Sequence, residues 1–158
     1  MGEYFYLTCI IPMVHIETES IMANIDFRSA VLEDLPVLYE FEQGVIHAER
    51  PFDPTLKTGN INYYDIKAMI ESDDTEVLVA LVNDELVASA YVKIKKAKPY
   101  LKFDYYAYVG FMFVTPEYRG KGISQKVIDE LISWAKSRGL NEIRLDVYDD
   151  NLNAVRAY

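Results

Sequence analysis

The chain has 158 residues, of which 51% are hydrophobic and 26% charged, the balance of one folded domain with a substantial core. A formal net charge of −9 repels phosphate backbones, so nucleic acid is excluded as an expected partner. Cys9 is the only cysteine and His15 and His47 the only histidines, which excludes an internal disulfide, a cysteine-built zinc site and a histidine metal cluster.

The apolar amino-terminal run YFYLTCIIPMVHIE lacks a basic flank and is too short to span a bilayer. Neither a signal peptide nor a membrane anchor is expected, and the reduced cysteine usage fits a cytoplasmic protein. Met22 opens MANIDFRSA in the manner of a domain start. Residues 1–21 are therefore read as an extension or an extra strand, and residues 22–158 as the domain.

Ile25 to Ser29 alternates apolar and polar residues, the period of a strand. Glu33, Asp34 and Pro36 suit a helix start, and Leu35, Leu38, Phe41 and Val45 give that helix an apolar face. From Glu49 to Asn60 two prolines and the lack of a period predict a loop that could line a site. Tyr63, Ile66 and Ile70 share helical spacing, closed by the acidic turn ESDD.

Glu76 to Val82 and Leu86 to Ile94 are rich in β-branched and apolar residues around Asn83-Asp84-Glu85, which predicts a hairpin. After the basic loop KKAKPYLK, Phe103 to Val114 reads as a long aromatic strand. Gly110 within it marks a bulge or a close backbone approach. Ile123, Val127, Ile128, Leu131, Ile132 and Ala135 make a wide helical stripe, stopped by Gly139. Ile143 to Tyr148 alternates as a strand, and Asn151 to Tyr158 opens a last helix. The predicted order is β-α-α-β-β-β-α-β-α.

The segment VTPEYRGKGISQ joins the long strand to the striped helix. Main-chain N–H groups in the first turn of a helix lack intrahelical partners and sit at the positive end of its dipole. Gly120 and Gly122 clear room for an anion, and Arg119 and Lys121 add positive charge, so the segment suits a phosphate group. It is not a Walker loop, which needs Gly-x-x-x-x-Gly-Lys-[Ser/Thr]. Nor is it a dinucleotide fingerprint, because Gln125 stands where the third Gly or Ala belongs.

With Val114, Pro116, Tyr118, Arg119 and Gly122 in register, the segment resembles the acetyl-CoA signature of the GNAT N-acetyltransferase superfamily. Ser124 departs from that family's Gly or Ala. NLNAVRAY is similar to the family's Asn-x-x-Ala-x-x-x-Tyr, filled by Asn151, Ala154 and Tyr158. The resemblance spans Ile25 to Tyr158.

It implies an α+β fold: a mixed, mainly antiparallel sheet with two splayed strands and flanking helices. It implies acetyl-CoA as co-substrate, with Met112, Phe113 and Val114 along the pantetheine arm. Arg119, Gly120, Lys121, Gly122, Ile123, Ser124 and Gln125 would surround the pyrophosphate, and Asn151 would assist. Attack by a neutral amine on the thioester, with Tyr158 returning a proton to the departing thiolate, is the implied reaction. Candidates for the base are Glu42, His47, Glu49, Asp104, Tyr105, Tyr106 and Tyr108. The implied acceptor is a small-molecule, polyamine, amino-sugar or peptide amine; a homodimer is left open, and no metal is implied.

Family members continue past the helix tyrosine into a Gly-Phe turn and two further strands, which this sequence lacks. The implied sheet is therefore short of its C-terminal strands, with one strand edge exposed or covered by a partner. That departure keeps a non-catalytic acyl-CoA-binding module open as the alternative.

Overall fold

A computed structural model describes residues 6–11 and 24–158. Six strands form one sheet: β1 (Tyr6–Ile10), β2 (Ile25–Ser29), β3 (Thr75–Val82), β4 (Glu85–Lys96), β5 (Tyr105–Val114) and β6 (Ile143–Tyr148). Four helices flank it: α1 (Leu35–Glu49), α2 (Ile66–Ile70), α3 (Ile123–Ser137) and α4 (Leu152–Ala157). From β2 onward the order is the expected one. Among the described residues, no helix is long and apolar enough to cross a membrane.

The spatial order is β1-β6-β5-β4-β3-β2. Every neighbouring pair is antiparallel except β5 and β6, which run parallel and are joined through α3. The helix stripe predicted for α3 is buried as read: Ile123, Val127, Ile128, Leu131, Ile132 and Ala135 pack against β3, β4 and β5. On the other sheet face, Leu38, Phe41 and Val45 of α1 close a second cluster with Ile66, Val79, Tyr91 and Phe111. These two layers sandwich the sheet.

Two features at the β5–β6 seam follow from local chemistry. The β5–β6 ladder covers only Ala107–Val109 against Ile143–Leu145, so the carboxyl ends of the two strands part. Next, β5 carries a bulge: Tyr91 pairs with Gly110 and Ser89 with Phe113, so β5 holds one residue more than β4 over that interval. The bulge is absorbed by Phe111, whose φ is +54° and whose side chain is buried. Gly110 is required beside it, since a Cβ there would lie 2.6 Å from the Tyr91 ring. Both readings of Gly110 hold: it flanks the bulge and it is a point of close approach.

Some boundaries differ from the sequence expectations. Tyr63 precedes α2 instead of opening it, because its N–H and that of Tyr64 donate to the buried Glu42 carboxylate at 2.7 and 2.9 Å. Asp65 then caps the helix by accepting the Ala68 N–H at 3.1 Å. The hairpin turn tightens to Asn83 and Asp84, both at positive φ, with Glu85 already in β4. Within the 1–21 segment, residues 6–10 form a strand on β6, so that edge is covered within the chain. Most of the segment, including His15, lies outside the described residues.

Candidate active site

The parting of β5 and β6 opens a cleft of about 670 Å³. At one end stands the glycine turn. Lys126 N–H donates to the Gly122 carbonyl at 3.3 Å as the first turn of α3 closes, leaving the N–H groups of Ile123, Ser124 and Gln125 ahead of any intrahelical acceptor. Gly120 and Gly122 have φ of +73° and +79°, and a Cβ on either would meet no protein atom within 4 Å. Both need glycine for conformation and leave open space beside the backbone.

Arg119 is already engaged within the protein. Its main-chain N–H is already taken by the Pro116 carbonyl at 3.3 Å. The side chain folds back instead: Nε donates to the Val114 carbonyl at 2.9 Å, and the guanidinium lies 5.6 Å from the Phe113 ring centroid. This pins a positive charge where β5 leaves the sheet.

Met112, Phe113, Val114, Arg119, Ser124, Asn151 and Tyr158 line the cleft together. Gly120, Lys121, Gly122, Ile123 and Gln125 do not line it with side chains. Lys121 leans over the Tyr118 ring at 5.1 Å, Gln125 hydrogen-bonds Asp129 at 3.3 Å, and Ile123 is buried in the core. Asn151 spends its side-chain oxygen as the cap of α4, accepting the Ala154 N–H at 3.2 Å. Burial, with a smaller contribution from nearby Cys9, pushes the Tyr158 hydroxyl up to about 12, so the phenol keeps its proton at neutral pH.

The other end of the cleft is acidic and aromatic. Tyr64, Tyr91 and Tyr108 form a file, with ring centroids 5.6 Å and 6.4 Å apart. Glu49, Asp53 and Asp146 line the same cleft. Burial raises the Glu49 carboxyl above its ordinary range, partly opposed by a hydrogen bond with Tyr63 and reinforced by the nearby Asp53 charge. Burial likewise raises Tyr64 and Tyr108, and Tyr91 to about 12, so the file is neutral.

Of the candidate bases, Glu49 and Tyr108 reach the cleft. Glu42 is fully buried and holds the Tyr63–Tyr64 backbone, which makes it structural. His47, Asp104 and Tyr105 are exposed away from the cleft, and Tyr106 packs with Phe103 and Arg144. Sequence reasoning missed Asp53, Tyr64, Tyr91, Asp146 and Tyr148. Asp53 lay in the proline-containing loop flagged as a possible site wall; there it accepts hydrogen bonds from Thr55 and, at 3.0 Å, from Tyr148.

Residues 39–158 match the family model described as the acetyltransferase (GNAT) family. The chain belongs to that family. Thialysine N-epsilon-acetyltransferases from Sus scrofa and Mus musculus are 41% and 39% identical to this GNAT chain over 51 residues. That stretch is 32% of this chain and 30% of each relative, so the likeness spans about a third of their length. A predicted acetyltransferase from Clostridium acetobutylicum, crystallised with acetyl-CoA, superposes with a TM-score of 0.63 at 21% identity, covering 79% of this chain and 82% of that one. Glucosamine-6-phosphate N-acetyltransferase from Arabidopsis thaliana gives 0.60 at 19%, covering 80% and 84%. These structures share the fold, including the mixed sheet and flanking helices. Among the described residues, no group of three or more His, Cys, Asp or Glu could hold a metal ion.

Proposed function

We propose that this GNAT acetyltransferase moves an acetyl group from acetyl-CoA to a primary amine, by direct attack within one cleft. The observation that carries the reading is the glycine turn, whose uncommitted N–H groups open beside the mouth of the β5–β6 gap. The residues fit the co-substrate. Ile123, Ser124 and Gln125 would hold the pyrophosphate through main-chain N–H groups, with Gly120 and Gly122 providing clearance and Arg119 and Lys121 providing charge. Met112 to Val114, released from strand pairing with β6, would pair with the pantetheine arm.

The amine would enter from the acidic end. Glu49 and Asp146 lower the free energy of an approaching ammonium, and the neutral tyrosine file offers ring faces to it. Glu49, whose proton affinity is raised by burial, is the carboxylate in the cleft suited to take a proton from that ammonium. Tyr158, in the same cleft, keeps its proton and would deliver it to the leaving sulfur.

Thermal shift with acetyl-CoA, CoA and ATP tests the first half: the coenzyme forms should raise the melting temperature and ATP should not. A thiol-release screen over polyamines, amino sugars and peptides tests the second. Binding without release by any amine would reduce the protein to an acyl-CoA-binding module.

A further inference from the structure

The strand β1 lies outside the family match at residues 39–158 and none of its residues lines the cleft, yet it pairs with the strand that does. The β5 ladder on β6 ends at Val109 opposite Leu145, whereas the β1 ladder runs from Ile10 opposite Arg144 to Tyr6 opposite Tyr148. Asp146, Val147 and Tyr148 therefore have β1 as their only ladder partner among the described residues, and all three line the cleft. The segment is anchored at its other end, where Ile11 is buried and its N–H donates to the Ile143 carbonyl at 3.1 Å.

One side chain of β1 reaches the chemistry of the acceptor end. Thr8 Oγ1 donates to Asp146 Oδ1 at 2.7 Å, while Tyr108 OH donates to Oδ2 at 3.1 Å. Asp146 is thus gripped from both neighbouring strands across the seam where β5 and β6 separate. A lone carboxylate on a parting strand would sample several rotamers; two donors on opposite oxygens fix one. Cys9, the next residue, packs with Tyr158 against the same core.

From this arrangement we infer that the amino-terminal strand braces the active-site wall from behind: β1 fixes the splayed end of β6, and Thr8 is a positioning residue that aims Asp146 at the incoming amine. The role of Thr8 rests on the transferase reading above; the role of the strand does not.

Two measurements on the full chain separate them. Alternate residues of an antiparallel edge strand donate to the ladder, so one of Leu7→Pro and Thr8→Pro must remove a β1–β6 hydrogen bond. Hydrogen exchange should then show protection at 146–148 falling about tenfold in that variant, while β3 and β4 remain protected and report an intact fold. Unchanged protection at 146–148 in both variants would overturn the strand's role.

For Thr8, thiol release with acetyl-CoA and spermidine should show the KM for spermidine rising about fivefold in Thr8→Val, with the KM for acetyl-CoA unchanged, and recovering in Thr8→Ser. Equal impairment in both variants would make Thr8 a packing residue, and no change in either would remove it from the site. A wild-type chain that acetylates neither spermidine nor any other amine would sink the transferase reading and Thr8's role with it. The exchange data would still decide the strand.

Discussion

The two ends of the cleft are built by opposite means. At the proposed coenzyme end, a contiguous run from Val114 to Gln125 provides strand exit, turn and helix start, and backbone groups would do most of the binding. At the proposed amine end, side chains converge from six places: Glu49 from α1, Asp53 from a loop, Tyr64 ahead of α2, Tyr91 from β4, Tyr108 from β5 and Asp146 from β6. Backbone recognition fixes one ligand and resists substitution; side-chain recognition can be rewritten without disturbing the fold. A family whose co-substrate is constant and whose acceptor varies is served by that division.

The sharpest way to break the comparison lies where the two ends meet. Replacing Tyr158 with Phe removes only a hydroxyl from a half-buried ring packed against the core. If that phenol returns the proton, kcat should fall about 100-fold. CoA affinity, read by calorimetry, should remain within about twofold, because the phenol is assigned to proton return and not to holding the coenzyme. Weaker binding with normal turnover would reassign Tyr158 to the coenzyme end.

A pair of glycines should then separate the ends from each other. Gly122→Ala places a Cβ where no protein atom lies within 4 Å, although its φ of +79° imposes strain of about 1 kcal/mol. Affinity for CoA should fall about tenfold, more than the strain alone explains, since the new methyl intrudes on ligand space. Gly110→Ala does the reverse. Its Cβ would sit 2.6 Å from the Tyr91 ring, displacing the tyrosine file at a cost of about 1–3 kcal/mol. Calorimetry should find CoA binding retained, while thermal melting and the amine KM both worsen.

The same division explains what could be read from the sequence. The glycine turn was legible as a turn because its physics is local: glycines at positive φ, a helix start and a strand exit occur within a dozen residues. The α3 stripe and the β3–β4 hairpin were legible for the same reason, as period and turn chemistry are short-range signals. The amine end was not. Tyr64 and Tyr91 carry no mark distinguishing a site tyrosine from a core one; only the bulge at Phe111 and the absence of a Cβ at Gly110 bring Tyr91 against β5. Glu42 and Glu49 stand on one helix, yet one binds loop backbone and the other faces the cleft. That distinction depends on where the loop before α2 returns. The β1–β6 pairing is the longest-range feature of all, joining residues more than 130 apart in sequence.

The mildest expected effect is one of sign. Burial raises the Glu49 carboxyl, so the folded state holds its proton more tightly than the unfolded chain does. The stability this contributes is complete below the ordinary glutamate pKa of about 4.3 and is lost as pH rises through the folded value. Glu49→Gln should therefore melt about 2 °C above wild type at pH 7, with the difference vanishing near pH 4. Asp34 is the opposite case. Its hydrogen-bonded pair with Arg28, at 2.7 and 2.9 Å, holds the carboxyl below its ordinary range. Asp34→Asn should destabilise above the ordinary aspartate pKa, and the deficit should close as pH falls through the folded value. Melting curves of both variants across pH 3 to 8 check the two signs together. If Glu49→Gln tracked Asp34→Asn, Glu49 would be a paired structural carboxylate and the amine end would lose its base.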